Sequence, residues 1–118
     1  MDPATAVASL SALAHTHRLG AYRLLVEAGP AGLNAGTIAG RLALPSSSLT
    51  FHLQHLHRTG LITQTRRGRE LIYAADFEAM RALVEYLTEN CCRGAALSGA
   101  ACTPARSARS AKRTRQVA

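Results

Sequence analysis

Two short helical patterns separated by Pro45 constrain the fold more than any other feature of the chain. The first pattern begins at Asn34, a good N-cap residue, and continues through Ala43, while the second begins at Ser46 or Ser47. The inward positions predicted for the first helix are Ile38, Ala39 and Leu42. Two short helices joined by a tight turn are typical of a helix-turn-helix unit.

The second helix of this pair has one apolar and one polar face. Leu49, Leu53 and Leu56 follow the spacing i, i+4, i+7, and the helix is predicted to end at Gly60. A helix that enters the major groove of DNA needs short polar side chains opposite such an apolar face. The alternative is an ordinary solvated surface. The residues predicted to contact DNA here are Ser46, Ser47, Ser48, Thr50, His52 and Gln54.

A β-hairpin is predicted directly after this helix. Residues 61–65 alternate as a strand, residues 66–69 supply a glycine turn, and residues 70–74 return as a second strand. Arg66, Arg67 and Arg69 crowd the tip, where guanidinium groups suit phosphate contacts or an adjacent minor groove. A charged tip that serves only solubility is the alternative.

Helices are predicted on both sides of this unit. One begins at Asp2 and Pro3, and another begins at His15 or Thr16 and stops at Gly29. Asp76 is expected to cap a last helix that reaches about residue 90. The apolar positions of these three helices are Val7, Leu10, Leu13 and Ala14, then Leu19, Tyr22, Leu24, Leu25 and Ala28, then Met80, Leu83, Val84 and Leu87. The predicted fold is mainly α with a small β-hairpin, a winged helix-turn-helix in the order α-α-α-α-β-β-α.

The length of 118 residues suits one folded domain. We assign residues 1–92 to a winged-helix DNA-binding and dimerisation domain and residues 93–118 to a flexible basic tail that carries Cys102, with disorder expected from about residue 103. Five of the 14 basic residues lie beyond residue 102, so residues 1–102 carry only nine basic against seven acidic residues. A nucleic-acid surface must therefore come from local clusters. The tail is either a solubilising segment or a DNA contact.

Several classes of protein are excluded by what the sequence lacks. The N-terminus has no basic start, and no run approaches the roughly 18 apolar residues of a membrane span, so we expect a cytoplasmic protein without a membrane partner. No Gly-rich phosphate loop, Gly-x-Ser-x-Gly or His-Glu-x-x-His motif is present. We therefore expect no enzyme activity and no catalytic residue.

All three cysteines lie near the C-terminal end, at Cys91, Cys92 and Cys102. Adjacent thiolates suit a soft trivalent centre, and three sulfurs in a pyramid match arsenite or antimonite. Zinc prefers four ligands and would need a further donor. The alternatives are zinc, cadmium or another soft ion, a thiol redox switch, or cysteines without a sensing role. The histidines at positions 15, 17, 52, 55 and 57 are interpreted as structural or DNA-facing rather than as metal ligands, and no permanent cofactor is expected.

The segments LALPSSSLTFHLQHLHRTGLI and RRGRELIYAAD resemble the ArsR/SmtB family of metal- and metalloid-responsive winged-helix repressors. The resemblance covers roughly residues 5–92. It implies a bacterial, cytoplasmic and nucleoid-associated homodimer, paired through its first and last helices, that binds an inverted-repeat operator in double-stranded DNA and leaves it when an inducer binds.

Two inducer sites known in that family are changed in this chain. The Cys-x-Cys pair before the recognition helix is replaced by Asn34 and Gly36, and the last helix keeps Asp76 and Glu78 but has no His before Cys91. The resemblance therefore favours the arsenical-resistance type with a C-terminal cysteine site. The predicted function is a dimeric repressor that trivalent arsenic or antimony releases from DNA.

Overall fold

A computed structural model describes residues 1–92. Residues Met1–Tyr86 form one compact unit, and a second unit begins at Leu87. The predicted domain boundary at residue 92 stays a prediction. The elements are α1 Pro3–Leu13, α2 Thr16–Ala28, a 3-10 turn Gly29–Ala31, β1 Leu33–Asn34, α3 Ala35–Leu42, α4 Ser46–Arg58, β2 Ile62–Arg67, β3 Glu70–Ala75 and α5 Phe77–Thr88. The mainly helical winged helix-turn-helix expected from the sequence is confirmed.

The three strands form an antiparallel sheet in the order β1-β3-β2. Pairing of β2 with β3 runs from Ile62 opposite Ala75 to Arg67 opposite Glu70. The hairpin turn is therefore shorter than the predicted 66–69, because Arg66 and Arg67 belong to the strand. The third strand, β1, was not predicted, because two residues are too short to show an alternation of apolar and polar side chains.

Glycine is required where β1 approaches β3. Gly32 has a φ of +71°, and a Cβ added there would lie 2.3 Å from the carbonyl oxygen of Tyr73. Leu33 pairs with Tyr73 in the next register position. A side chain at position 32 would therefore separate the two strands.

The core is formed by side chains from α1, α2, α3, α4 and the sheet, together with Leu61 just before β2. Leu49, Leu53 and Leu56 are each 0% exposed, as their spacing predicts. They share one cluster with residues of the other elements, namely Ala12, Ala21, Tyr22, Leu25, Ile38, Ala39, Leu61, Ile62, Tyr73 and Ala75. The apolar face of α4 therefore packs into the core, and the opposite face of the helix is exposed to solvent.

Two predicted helix caps are confirmed and one is wrong. The Asn34 Oδ1 atom accepts a hydrogen bond from the Thr37 N–H at 2.8 Å, and the Asp76 Oδ1 atom accepts two at 3.1 Å at the start of α5. Neither Ser46 nor Ser47 caps α4. The helix starts directly after Pro45, whose extended backbone makes it the N-cap without a side-chain bond. The end of α5 at Thr88 precedes the predicted end by two residues.

The apolar stripes predicted on α1 and α5 are partly outside the core. Val7 is 66% exposed and Leu10 is 41% exposed, while α1 turns Ala6, Ser9 and Ala12 inward. On α5, Val84 is 54% exposed. Within residues 1–92, no helix combines the length and the apolar character that crossing a bilayer requires.

Candidate DNA-binding surface and cysteine pair

The outer face of α4 is a continuous exposed stripe. Successive residues of an α-helix are rotated by about 100°, so residues at i, i+4, i+7 and i+11 line up. Ser47, Phe51, Gln54 and Arg58 have this spacing, lie opposite the three buried leucines and are all exposed. The helix therefore presents a hydroxyl, an aromatic ring, an amide and a guanidinium in one line.

The structure exposes most of the DNA-contacting residues predicted on α4. Ser46, Ser47, Ser48, Thr50 and Gln54 all have exposed side chains. The Thr50 hydroxyl donates to the Ser46 carbonyl oxygen at 3.0 Å. That hydroxyl therefore keeps only its acceptor capacity for a base or phosphate. Whether these side chains contact DNA stays a prediction.

His52 lies on the flank of α4 and is half-buried. Its ring centroid lies 4.6 Å from that of His15 and 5.7 Å from that of His17, at the junction of α1 and α2. Its Nδ1 atom is buried without a hydrogen-bond partner among the described residues. The contact that was predicted between His52 and DNA stays a prediction, and the ring is placed to support the helix from the side.

Burial lowers the pKa of His52 below its ordinary value of 6.5, because an imidazolium loses hydration there. The neighbouring positive groups of His15, Arg18, His17 and His55 add to this lowering. The neutral ring of His52 is therefore favoured.

The wing carries its arginines into solvent. Arg66, Arg67 and Arg69 are exposed, and none of them forms an ion pair with another described residue. Arg69 lies in the turn beside Gly68, whose φ is +63°. Three uncompensated charges within four residues make the tip attractive to phosphate oxygens.

The base of the wing is fixed to the end of α4. The Leu61 N–H donates to the Leu56 carbonyl oxygen at 3.3 Å, and the Asp76 N–H donates to the Leu61 carbonyl oxygen at 2.9 Å. Leu61 and Ile62 are both buried. The polar stripe of α4 and the arginine tip are therefore held on one rigid scaffold.

Asn34 stands where the resembled family carries the first Cys of its Cys-x-Cys pair, and it has another role in this chain. The Asn34 Oδ1 atom caps α3, and its Nδ2 group donates to Glu70 Oε2 at 3.1 Å, which joins the helix to the wing. Within residues 1–92 no group of three or more His, Cys, Asp or Glu side chains is arranged to hold a metal ion.

Two of the three predicted thiol ligands are described. Cys91 and Cys92 are exposed, and their Sγ atoms lie 3.7 Å apart. A centre bound at about 2.3 Å from both sulfurs with a tetrahedral angle needs a separation of about 3.8 Å. The separation suits one shared soft centre, but of the two only Cys91 is a free thiol, because Cys92 is disulfide-bonded. A centre held by both sulfurs therefore requires Cys92 in its reduced form. The third predicted ligand, Cys102, lies outside the described residues.

Phe51 is the exposed residue that the sequence reasoning missed. Its ring is 63% exposed although it is apolar. The signal was its position two residues from both Leu49 and Leu53, which places it on the far side of the helix.

No family model matches the chain. The transcriptional activator HlyU of Vibrio cholerae is 30% identical over 92 residues, which are 78% of this chain and 82% of HlyU. A solved structure of HlyU from Vibrio cholerae N16961 is similar with a TM-score of 0.61 at 30% identity, covering 78% of this chain and 99% of that one.

Two further solved structures share the fold at lower identity. An ArsR-like transcriptional regulator from Rhodococcus sp. RHA1 gives a TM-score of 0.65 at 24% identity, covering 83% of this chain and 90% of that one. The homodimeric winged helix-turn-helix DNA-binding domain of Mb0332 from Mycobacterium bovis gives 0.58 at 24% identity, covering 73% and 80%.

Proposed function

The chain belongs to the ArsR/SmtB-like family of winged-helix transcriptional regulators, and from this premise we propose that it is a homodimeric repressor which trivalent arsenic or antimony releases from an inverted-repeat operator. It is a transcriptional regulator and not an enzyme. The name of its relative HlyU describes an activator, so repression is part of the proposal. A bacterial cytoplasmic location at the nucleoid follows from this role.

One observation carries the DNA-reading part of the proposal, namely the opposition of two faces on α4. Leu49, Leu53 and Leu56 hold one face in the core, and Ser47 and Gln54 project from the other. The major groove of B-DNA admits an α-helix, and Gln side chains pair with adenine there. With α4 in the groove, the arginines of the attached wing are expected to contact the flanking backbone.

A duplex-selection experiment tests this role. Purified protein is used to enrich binding sites from a random duplex pool, and affinities are measured by fluorescence anisotropy. We expect enrichment of an inverted repeat. Ser47→Glu places a negative charge inside the stripe and is expected to abolish selective binding, whereas Ala31→Glu, exposed on the 3-10 turn, is the matched control. No selective site for the parent, or equal binding by Ser47→Glu, would refute the proposal.

The dimer part of the proposal is supported by apolar side chains that a monomer leaves in water. Val7 and Leu10 on α1 and Val84 on α5 are exposed, and an open apolar groove of about 610 Å³ is lined by Phe77, Glu78, Met80, Arg81 and Val84. A second copy that covers both helices would remove this surface from water. Sedimentation should give a dimer for the parent and a monomer for the Leu10→Glu, Val84→Glu double variant.

The inducer part is supported by the free thiol of Cys91 and by the Sγ atom of Cys92, which lies 3.7 Å away. Cys92 is disulfide-bonded, so a reducing thiol must first convert it to the free thiol before it can bind the inducer. Arsenite in water is As(OH)₃. Each As–S bond that forms replaces one As–OH bond, and the hydroxide leaves with the thiol proton as water, so three cysteines release three waters. Because Cys91 follows α5 by three residues, ligation is expected to rearrange the end of the proposed dimer helix and thereby the spacing of the two α4 helices.

The inducer is tested on operator complexes of the fully reduced protein. Complexes are titrated with arsenite, antimonite, zinc, cadmium and hydrogen peroxide, for the parent and for Cys91→Ser, Cys92→Ser and Cys102→Ser. We expect release by arsenite and antimonite for the parent and loss of release in the variants. Arsenite release that survives removal of Cys91 and Cys92 would refute the site. Release by zinc or cadmium alone, or by peroxide alone, would replace the metalloid by a soft ion or by thiol oxidation.

A further inference from the structure

Phe51 is an exposed aromatic residue whose position is not explained by the packing of the core. Among the described residues, seven large apolar side chains are exposed, and six of them lie at the N-terminus or on α1, α2 and α5. Phe51 alone lies in the segment from α3 to β3 that forms the helix-turn-helix and the wing. It is 63% exposed and contributes nothing to the core cluster.

The neighbours of Phe51 on the outer stripe are polar. Ser47 lies four residues before it and Gln54 three residues after it, so both flank the ring on the same face of α4. The ring of His52 lies 6.0 Å away in an edge-on arrangement. That contact leaves most of the Phe51 ring in solvent. The ring therefore forms an isolated apolar spot in the middle of a hydrogen-bonding surface.

The major groove offers one apolar feature to such a spot. Each base pair presents donors and acceptors there, and only thymine adds a methyl group, on its C5 atom. Burying a methyl group against a phenyl ring removes apolar area from water on both sides, which gains free energy without a hydrogen bond. The amide of Gln54, one helical turn away, matches adenine.

We propose that Phe51 is a specificity-determining residue that recognises thymine by packing its ring on the C5-methyl group in the major groove. This inference rests on the proposed DNA-binding function. It assigns to each operator half-site one thymine whose methyl group is required, next to an adenine contacted by Gln54. Because the protein is proposed to be a dimer, the same thymine recurs in the second half-site.

Deoxyuridine provides a direct test, since it differs from thymidine only by the absent methyl group. Each thymine of the selected operator is replaced in turn, and dissociation constants are measured by fluorescence anisotropy. For the parent, we expect one position per half-site where the replacement weakens binding about fourfold, and about 15-fold when both half-sites are changed. Replacements elsewhere should have little effect.

Variants then identify the side chain that senses the methyl group. Phe51→Ala is expected to bind the thymine operator more weakly and to lose the uracil effect at that position, whereas Phe51→Leu should keep part of it. Arg23→Ala, at an exposed position of α2 outside the stripe and the wing, is the control and should keep the full effect. Because the ring is mostly exposed, the denaturant midpoint of Phe51→Ala should stay close to that of the parent.

The outcomes separate this inference from the function on which it rests. If the parent selects an operator but uracil has no effect at any position, Phe51 does not recognise a methyl group and the DNA-binding function stands. A uracil effect that persists unchanged in Phe51→Ala assigns the methyl group to another side chain and also overturns the inference. If the parent selects no operator, the proposed function fails and the inference fails with it.

Discussion

Removing two arginines from the wing tip provides a quantitative prediction. Arg67 and Arg69 are exposed, and neither is in an ion pair with another described residue, so both charges are available to phosphates. In a dimer with two wings, the Arg67→Ala, Arg69→Ala variant loses four such charges. Because each phosphate contact releases condensed counterions from the duplex, the affinity should lose salt dependence as well as strength.

The magnitude follows from the number of contacts. Each contact with duplex DNA contributes about 0.9 to the slope of the logarithm of the binding constant against the logarithm of salt concentration, so four contacts contribute about 3.6. When the salt concentration rises from about 50 mM to about 200 mM, the ratio of parent affinity to variant affinity should therefore fall about 150-fold. The loss should be similar on the selected operator and on unrelated duplexes, because phosphates carry no sequence information.

Fluorescence anisotropy across a salt series measures this slope. Arg23→Ala removes an exposed charge from α2, outside the stripe and the wing, and is the control whose slope should match that of the parent. An unchanged slope in the wing variant would show that the tip does not contact phosphates. A large loss on the operator alone would instead indicate base recognition by the wing.

Three further predictions concern stability. The folded protein holds the pKa of His52 below 6.5, so the unfolded chain binds more protons, and the free energy of unfolding should fall as the pH decreases below that value. In urea unfolding, His52→Gln should show a weaker pH dependence of stability than the parent, and an unchanged pH dependence would contradict the account. Leu53→Ala empties a fully buried site and should cost about 2–5 kcal/mol in urea unfolding, with a loss below about 1 kcal/mol counting against the α4 packing. Gly32→Ala should cost at least about 1–3 kcal/mol of stability, because the added Cβ would meet the Tyr73 carbonyl oxygen and because the backbone has a positive φ there. A variant as stable as the parent in thermal unfolding would refute this.

Local sequence patterns were sufficient for the features that depend on one element. The three leucines of α4 face the core as their spacing predicts, and Asn34 and Asp76 cap helices as their positions predict. The hairpin followed from alternation and one glycine. In each case a period or a cap within a few residues determines the geometry, so no knowledge of distant contacts was needed.

Features that depend on distant contacts were not predictable from local patterns. Strand β1 exists because Leu33 pairs with Tyr73, forty positions later. The half-buried position of His52 depends on the corner that carries His15 and His17. The exposure of Phe51 follows from its spacing relative to the buried leucines, whereas its apolar character alone would favour a place in the core.

The most direct test of the central claim is a dimethyl sulfate protection measurement on the selected operator. Guanine N7 lies in the major groove, whereas adenine N3 lies in the minor groove, so methylation of the two atoms reports the two grooves separately. Entry of the outer face of α4 predicts protection of guanine N7 in the centre of each half-site, with loss of that protection in Ser47→Glu. Tight, selective binding that leaves every guanine N7 reactive would contradict the account, because another surface would then read the operator.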